Sequence, residues 1–223
     1  MGSRGRTSMF WPWRDSPVVR ITGAFLSWAG YITCFTLLAL VSYTVGTLGG
    51  SCASGGPYVI DVPCPDNVAL FAPISIFGGF LFVGVALMFA GGFAAPLVVW
   101  AWPILFVGLS VPFFLSVPTD PVLGILLGLM FFVMGIVPVV FVLRQPDAWQ
   151  LFLGVRNVSG RPFLTVGDRR RFGVPPAFAR GSHRSTAAAV QPRLRDWILS
   201  LGITGSAIVA GVVAAPALWT WTA

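Results

Sequence analysis

The polar positions along this chain are gathered into a few short segments, and five long runs between them carry no charge. A helix that spans a bilayer needs about 20 apolar residues at 1.5 Å rise each. The first run extends from Arg20 to about Val45, and its polar members are mainly hydroxyls that can bond back to their own helix. Val68 to Val117 is uncharged throughout and is long enough for two spans. Paired glycine and then proline in Gly91-Gly92-Phe93-Ala94-Ala95-Pro96 break it, because this chemistry ends helices and makes turns. The fourth run covers about Pro121 to Leu143 and the fifth about Asp196 to Trp221. The pattern predicts an all-α integral membrane protein with five transmembrane helices.

Charge adds an orientation to these spans. The 14 basic residues are all Arg. Arg4, Arg6, Arg14 and Arg20 precede the first run, and the other ten lie between Arg144 and Arg195. The intervals 46–67 and 118–121 carry only Asp61, Asp66 and Asp120. Short loops rich in Arg stay cytoplasmic, which predicts the N-terminus inside and the C-terminus outside. The organisation expected is a basic cytoplasmic segment 1–19, a four-span bundle 20–143 with an outer loop 46–67, an Arg-rich cytoplasmic loop 144–195, and a fifth transmembrane helix 196–223. If the second and third runs formed a re-entrant hairpin, ten Arg would fall outside, against the same rule. Trp11, Trp13, Trp149, Trp197, Trp219 and Trp221 fall at span ends, where indole rings sit at headgroup level.

Composition agrees with a lipid-embedded chain. Hydrophobic residues make up 56% and charged residues 9%, where a soluble domain carries about 25% charged. The net charge of +7 beside a membrane points to anionic lipids as partners, at about 1 kcal/mol per basic residue. Arg169, Arg170 and Arg171 are the densest part of that charge and the candidate docking site for anionic lipid or for a cytoplasmic subunit. No aromatic residues alternate with Arg in a recognisable module, so nucleic acid is not an expected partner.

Catalytic chemistry finds little material. His183 is the single His and lies in the basic loop, which excludes a bis-His haem within one chain. No span carries a pair of carboxylates for acid–base work, and without Lys there is no phosphate-cradling Gly-Lys loop. Proton and ion carriers use ionisable residues inside the membrane, and these spans have none. No catalytic, cofactor-binding or metal-binding residue is expected. Pro96, Pro103, Pro112 and Pro138 lie in or near spans and shape the helices rather than frame a charged transport site.

Two constellations remain. Cys52 and Cys64 flank the outer loop, where an oxidising exterior favours a disulfide. The alternative is a redox or metal site, but there is no Cys-x-x-Cys and no His on that face. Tyr58-Val59-Ile60 within the loop is a short β-prone piece. Cys34 lies mid-span and reads as a small packing residue. Gly124, Gly128 and Gly135 share one face of the fourth span, and small residues on a stripe let another helix approach closely. That face either docks another protein or packs within the bundle. Ala207 and Gly211 make a weaker stripe in the fifth span.

The loop Cys52-Ala53-Ser54-Gly55-Gly56-Pro57-Tyr58, followed by Pro63-Cys64-Pro65, resembles that of small multi-pass membrane proteins of actinobacteria. The resemblance covers the first two spans and the loop between them. It implies an accessory subunit of a large envelope complex, such as a mammalian-cell-entry lipid importer, and brings no catalytic residues. The expectation is a non-catalytic accessory or stabilising subunit in the inner (plasma) membrane, with other integral membrane subunits as partners. The alternative is a small transporter or lipid-binding channel without intramembrane charge.

Overall fold

The computed structural model describes residues 17–48, 52–53, 60–90, 95–115, 121–144 and 194–221. They form five helices, each long and apolar enough to cross a membrane. These are α1 (Pro17–Thr47), α2 (Asp66–Val85), α3 (Ala95–Leu115), α4 (Pro121–Leu143) and α5 (Leu194–Trp221). α2 continues into a π-helical turn, Ala86–Ala90. Among the described residues the β pairing is one isolated bridge, Ala53 to Pro63.

The helix limits follow local chemistry. α1 and α4 open on Pro17 and Pro121, whose fixed φ and missing N–H suit the first helical position. α2 opens with Asp66 in its first turn, where a carboxylate meets the positive end of the helix dipole. α1 begins three residues before Arg20 and α5 two before Asp196, so both helices extend past their apolar runs into polar sequence. Pro73, Pro103, Pro112, Pro138 and Pro216 all lie inside helices that continue through them.

Contacts between helices give the direction of each. Gly30 of α1 lies against the Phe82 ring of α2, and Cys34 of α1 against Gly78 of α2. Rising numbers on α1 meet falling numbers on α2, so the two are antiparallel. Gly128 meets Phe114, and Gly135 meets Val107, so α4 is antiparallel to α3. Tyr31 donates a hydrogen bond to the Ala101 carbonyl and Phe35 covers Gly108, so α3 runs parallel to α1. Ala24, Trp28 and Ala207 share one cluster while Leu37, Val41 and Ala215 share another, which makes α5 parallel to α1 as well. The five helices therefore alternate in direction. α2 and α3 run alongside α1 as full-length helices rather than as a shallow hairpin.

α1 is the centre of the bundle. In its most apolar stretch 44% of residues are buried, against 17–22% in the other four. α2, α3 and α5 pack around it, and α4 leans on the outer side of α3. Lipid tails are as apolar as Leu, so the hydrophobic effect does not drive these contacts. Close packing at small residues and interhelical hydrogen bonds do. The large exposed side chains, such as Phe77, Phe80, Val122 and Leu126, form the outward surface that such a fold presents to lipid.

The alternation also separates the charges. Asp61, Asp66 and the Cys52–Cys64 pair lie at one end of the bundle, with the close of α1 and of α5. Positions 20, 144 and 195 lie at the other end. Arg169–Arg171 and nearly all of the 144–195 loop lie outside the described residues, as do most of segment 1–19 and Tyr58-Val59.

Candidate functional site

The disulfide end is built first by the backbone. Ala53 N–H donates to the Val62 carbonyl at 3.1 Å and Cys64 N–H to the Ala53 carbonyl at 2.9 Å. These bonds bring Cys52 and Cys64 together as a disulfide, with Cα atoms 5.0 Å apart. Cys52 packs with Val45, Ala72 and Trp219 onto the cluster of Leu37, Val41, Val68, Phe71 and Ala215. The Trp219 ring stacks on Phe71 at a centroid distance of 5.8 Å. The disulfide thus closes the α1–α2 connection beside a cluster that Ala215 and Trp219 of α5 also join. Among the described residues no group of three or more His, Cys, Asp or Glu could hold a metal. Cys34 is a buried free thiol beside Gly78.

The glycine stripe of α4 is occupied from within the chain. A Cβ at Gly128 would lie 2.7 Å from the Phe114 ring, and one at Gly135 would lie 2.6 Å from the Val107 side chain and 2.7 Å from its backbone nitrogen. Gly124 is buried on the same helix. This is the close approach that small residues permit, but the partner is α3. Of the two readings of this face, packing within the bundle is the one seen at Gly128 and Gly135, which Phe114 and Val107 cover. Aromatic rings continue the α3–α4 contact. Trp102 meets Phe106 at 4.3 Å, Phe106 meets Phe131 at 5.9 Å, and Phe131 meets Phe113 at 5.2 Å.

α5 presents two small-residue faces. The inner one holds Ala207, Gly211 and Ala215, all buried. Gly211 sits so close to α1 that a Cβ would be 2.6 Å from the Ala29 carbonyl oxygen. Thr33 of α1 bonds to the Ala29 carbonyl at 2.8 Å and reaches the Gly211 carbonyl at 3.3 Å, which links the two backbones. The outer face holds Gly202, Ser206 and Ala210 at four-residue spacing, with Gly205 alongside, all exposed. At Gly202 and at Gly205 a Cβ would meet nothing within 4 Å. Sequence reading found the inner stripe and missed the outer one, because a spacing of small residues does not say which side the bundle covers.

Between α2 and α3 lies a groove of about 310 Å³ whose floor is α1. α2 contributes Ser75, Ile76, Gly79, Phe80 and Val83. α3 contributes Val98, Ala101, Trp102 and Leu105, and the floor is Tyr31, Phe35 and Leu38. α2 and α3 scarcely touch each other, since each packs on α1. Two of the lining residues carry hydroxyls. That of Tyr31 is taken by the Ala101 carbonyl. That of Ser75 is buried, with the residue 3% exposed, and has no hydrogen-bond partner. Asn67 Oδ1 and Trp28 Nε1 are also buried without a partner, but neither lines the groove. Nothing in the linear sequence marked Tyr31 or Ser75. The Ser75-x-x-x-Gly79 spacing on α2 was the available sign.

Compared with known protein families, curated proteins and solved structures, the chain matches none.

Proposed function

We propose that this chain is a non-catalytic protein of the inner (plasma) membrane that acts as an accessory or stabilising subunit of a larger envelope membrane complex. The observation that carries this reading is the outer face of α5. Its Gly202, Gly205, Ser206 and Ala210 repeat the chemistry by which Gly211 brings α5 against α1, but here the space is open. Helices associate in lipid where small residues let backbones meet, so a helix of another integral membrane subunit is the fitting partner. The separation of Arg positions from the acidic disulfide end supports an N-terminus inside and a C-terminus outside. The Arg-rich segment 144–195 then faces anionic lipid or a cytoplasmic subunit. The loop resemblance makes lipid importers of the mammalian-cell-entry type the first complexes to test.

The experiment is purification in mild detergent with quantitative mass spectrometry of what accompanies the protein. Gly205→Leu and Gly202→Leu should lower partner recovery while the protein stays inserted and abundant. Gly84→Leu, at another glycine with open space, should leave recovery unchanged. Stoichiometric partners retained in both α5 variants would remove this face as the interface.

A further inference from the structure

We propose that the groove between α2 and α3 seats one acyl chain of an anionic phospholipid, with the lipid phosphate held at its mouth by Arg144. The site does not depend on the subunit role, which rests on α5.

The volume comes first. About 310 Å³ lies at the lower end of the range for small-molecule sites and is too small for another helix, which is about 10 Å across. The Tyr31 hydroxyl is taken by the Ala101 carbonyl and the Ser75 hydroxyl is buried, so an occupant meets aliphatic and aromatic carbon along its length. That lining suits a hydrocarbon chain, and such chains are the solvent of these helices.

The level of the groove says which chain. Its far end is at Ser75 and Leu105, and Leu105 is the middle residue of α3. Its mouth is at Val83 and Val98, and Val98 is three residues from the start of α3, about 5 Å at 1.5 Å per residue. From Val98 to Leu105 the groove runs about 10 Å, which fits within half of the ~30 Å hydrocarbon core. The occupant is therefore a chain of the leaflet at the Arg end of the bundle, entering at the mouth and ending near mid-bilayer.

The headgroup follows from Arg144. Gly135 of α4 lies against Val107 of the antiparallel α3. Nine residues on from Gly135 is Arg144, and nine back from Val107 is Val98, so Arg144 stands close to the level of the mouth. α4 also borders the α3 wall of the groove, because Trp102 both lines it and donates to the Met134 carbonyl of α4 at 3.3 Å. Arg144 is exposed, at the level where a chain seated in the groove carries its phosphate. A guanidinium matches phosphate geometry with two parallel hydrogen bonds, and its stem can lie along apolar surface while its head stays in the interface. The one carboxylate in α2, α3 and α4 is Asp66, at the opposite end of the bundle, so nothing on these helices repels a phosphate there.

Gly79 and Arg144 supply the test. Gly79 lines the groove, and a Cβ there would meet nothing within 4 Å. Gly79→Phe should therefore fill the groove without forcing the helices apart, and Gly79→Leu, a smaller filler, stands in where the Phe variant does not fold. The full-length protein, purified in detergent, is titrated with phosphatidylglycerol and with phosphatidylcholine of the same chains, and bound lipid is counted by native mass spectrometry. The native protein should hold one phosphatidylglycerol roughly fivefold more tightly than phosphatidylcholine, the worth of one basic residue beside anionic lipid. Arg144→Gln should bring the two affinities together. Filling Gly79 should abolish this site for both lipids, with the melting temperature at or above that of the native protein. Gly84→Leu, at an open glycine outside the groove, should change neither affinity. Equal affinity of the native protein for the two lipids would overturn the proposal, and so would absence of binding. A preference that survives Arg144→Gln would move the headgroup to another Arg, and binding that survives in a folded Gly79 variant would move the chain out of the groove. Either result overturns it as well.

Discussion

The indole N–H of Trp102 donates to the backbone carbonyl of Met134 at 3.3 Å, and that carbonyl is the one Pro138 leaves without its helical donor. Proline has no N–H, so the carbonyl four residues earlier loses its bond. In lipid no water can replace it, and a neighbouring helix must supply the donor. Trp102 on α3 does this for α4 and thereby fixes the register of the two helices. Trp102→Phe should lower stability by about 1 kcal/mol. In a Pro138→Ala background, where the substituted residue's own N–H restores the bond within α4, the same change should cost much less. A double-mutant cycle by reversible unfolding in detergent reads this coupling, and additive effects would refute it.

Phe35 covers Gly108 so closely that any side chain there collides with the ring. Gly108→Leu should destabilise the bundle by about 1–3 kcal/mol, the usual range for overpacking. Adding Phe35→Ala makes room and should recover part of the loss. Melting temperature and the yield of monodisperse protein measure both.

Tyr31 joins α1 to α3 through the Ala101 carbonyl. Tyr31→Phe keeps the ring and removes the bond. The expected loss is about 0.6 kcal/mol, the average for such bonds between membrane helices. A loss of several kcal/mol would mean that the hydroxyl holds more than this one contact.

The disulfide should appear as a Cys52–Cys64 peptide in non-reducing mass mapping, with Cys34 alkylated only after unfolding. Closing a loop of this length stabilises a soluble chain by about 3 kcal/mol. Here α1 and α2 stay threaded through the bilayer when the bundle comes apart, which already holds the loop ends near each other. Cys52→Ser with Cys64→Ser should therefore cost less than that, and helical content should be unchanged. A fall in helicity would contradict the view that the spans form independently of the loop.

Orientation is open to direct labelling. In a background lacking Cys34, Cys52 and Cys64, a cysteine at position 62 should react with an impermeant reagent in intact cells. One at position 170 should react only after the membrane is opened. The reverse pattern would invert the topology.

Much of the fold was legible in the chain itself. A run of about 20 uncharged residues has one stable state in a bilayer, a helix, because every backbone group must be paired within the segment. The five runs and the break at Gly91–Pro96 therefore mapped closely onto α1 to α5, and two cysteines in the acidic loop gave the pairing of Cys52 with Cys64. What the sequence could not say is which helix meets which. All five runs are apolar on every side, so no polar face marks the lipid and no apolar stripe marks the core. The Gly128–Gly135 stripe fitted an external partner and an internal one equally well. The ring of Phe114 decided it, at a point fourteen residues away along the chain. Gly211 and Gly205 are the same residue in the same helix, and only packing against Ala29 distinguishes the covered one from the open one. The groove belongs to tertiary structure alone. It exists because α2 and α3 both prefer α1 to each other, which no spacing along the chain announces.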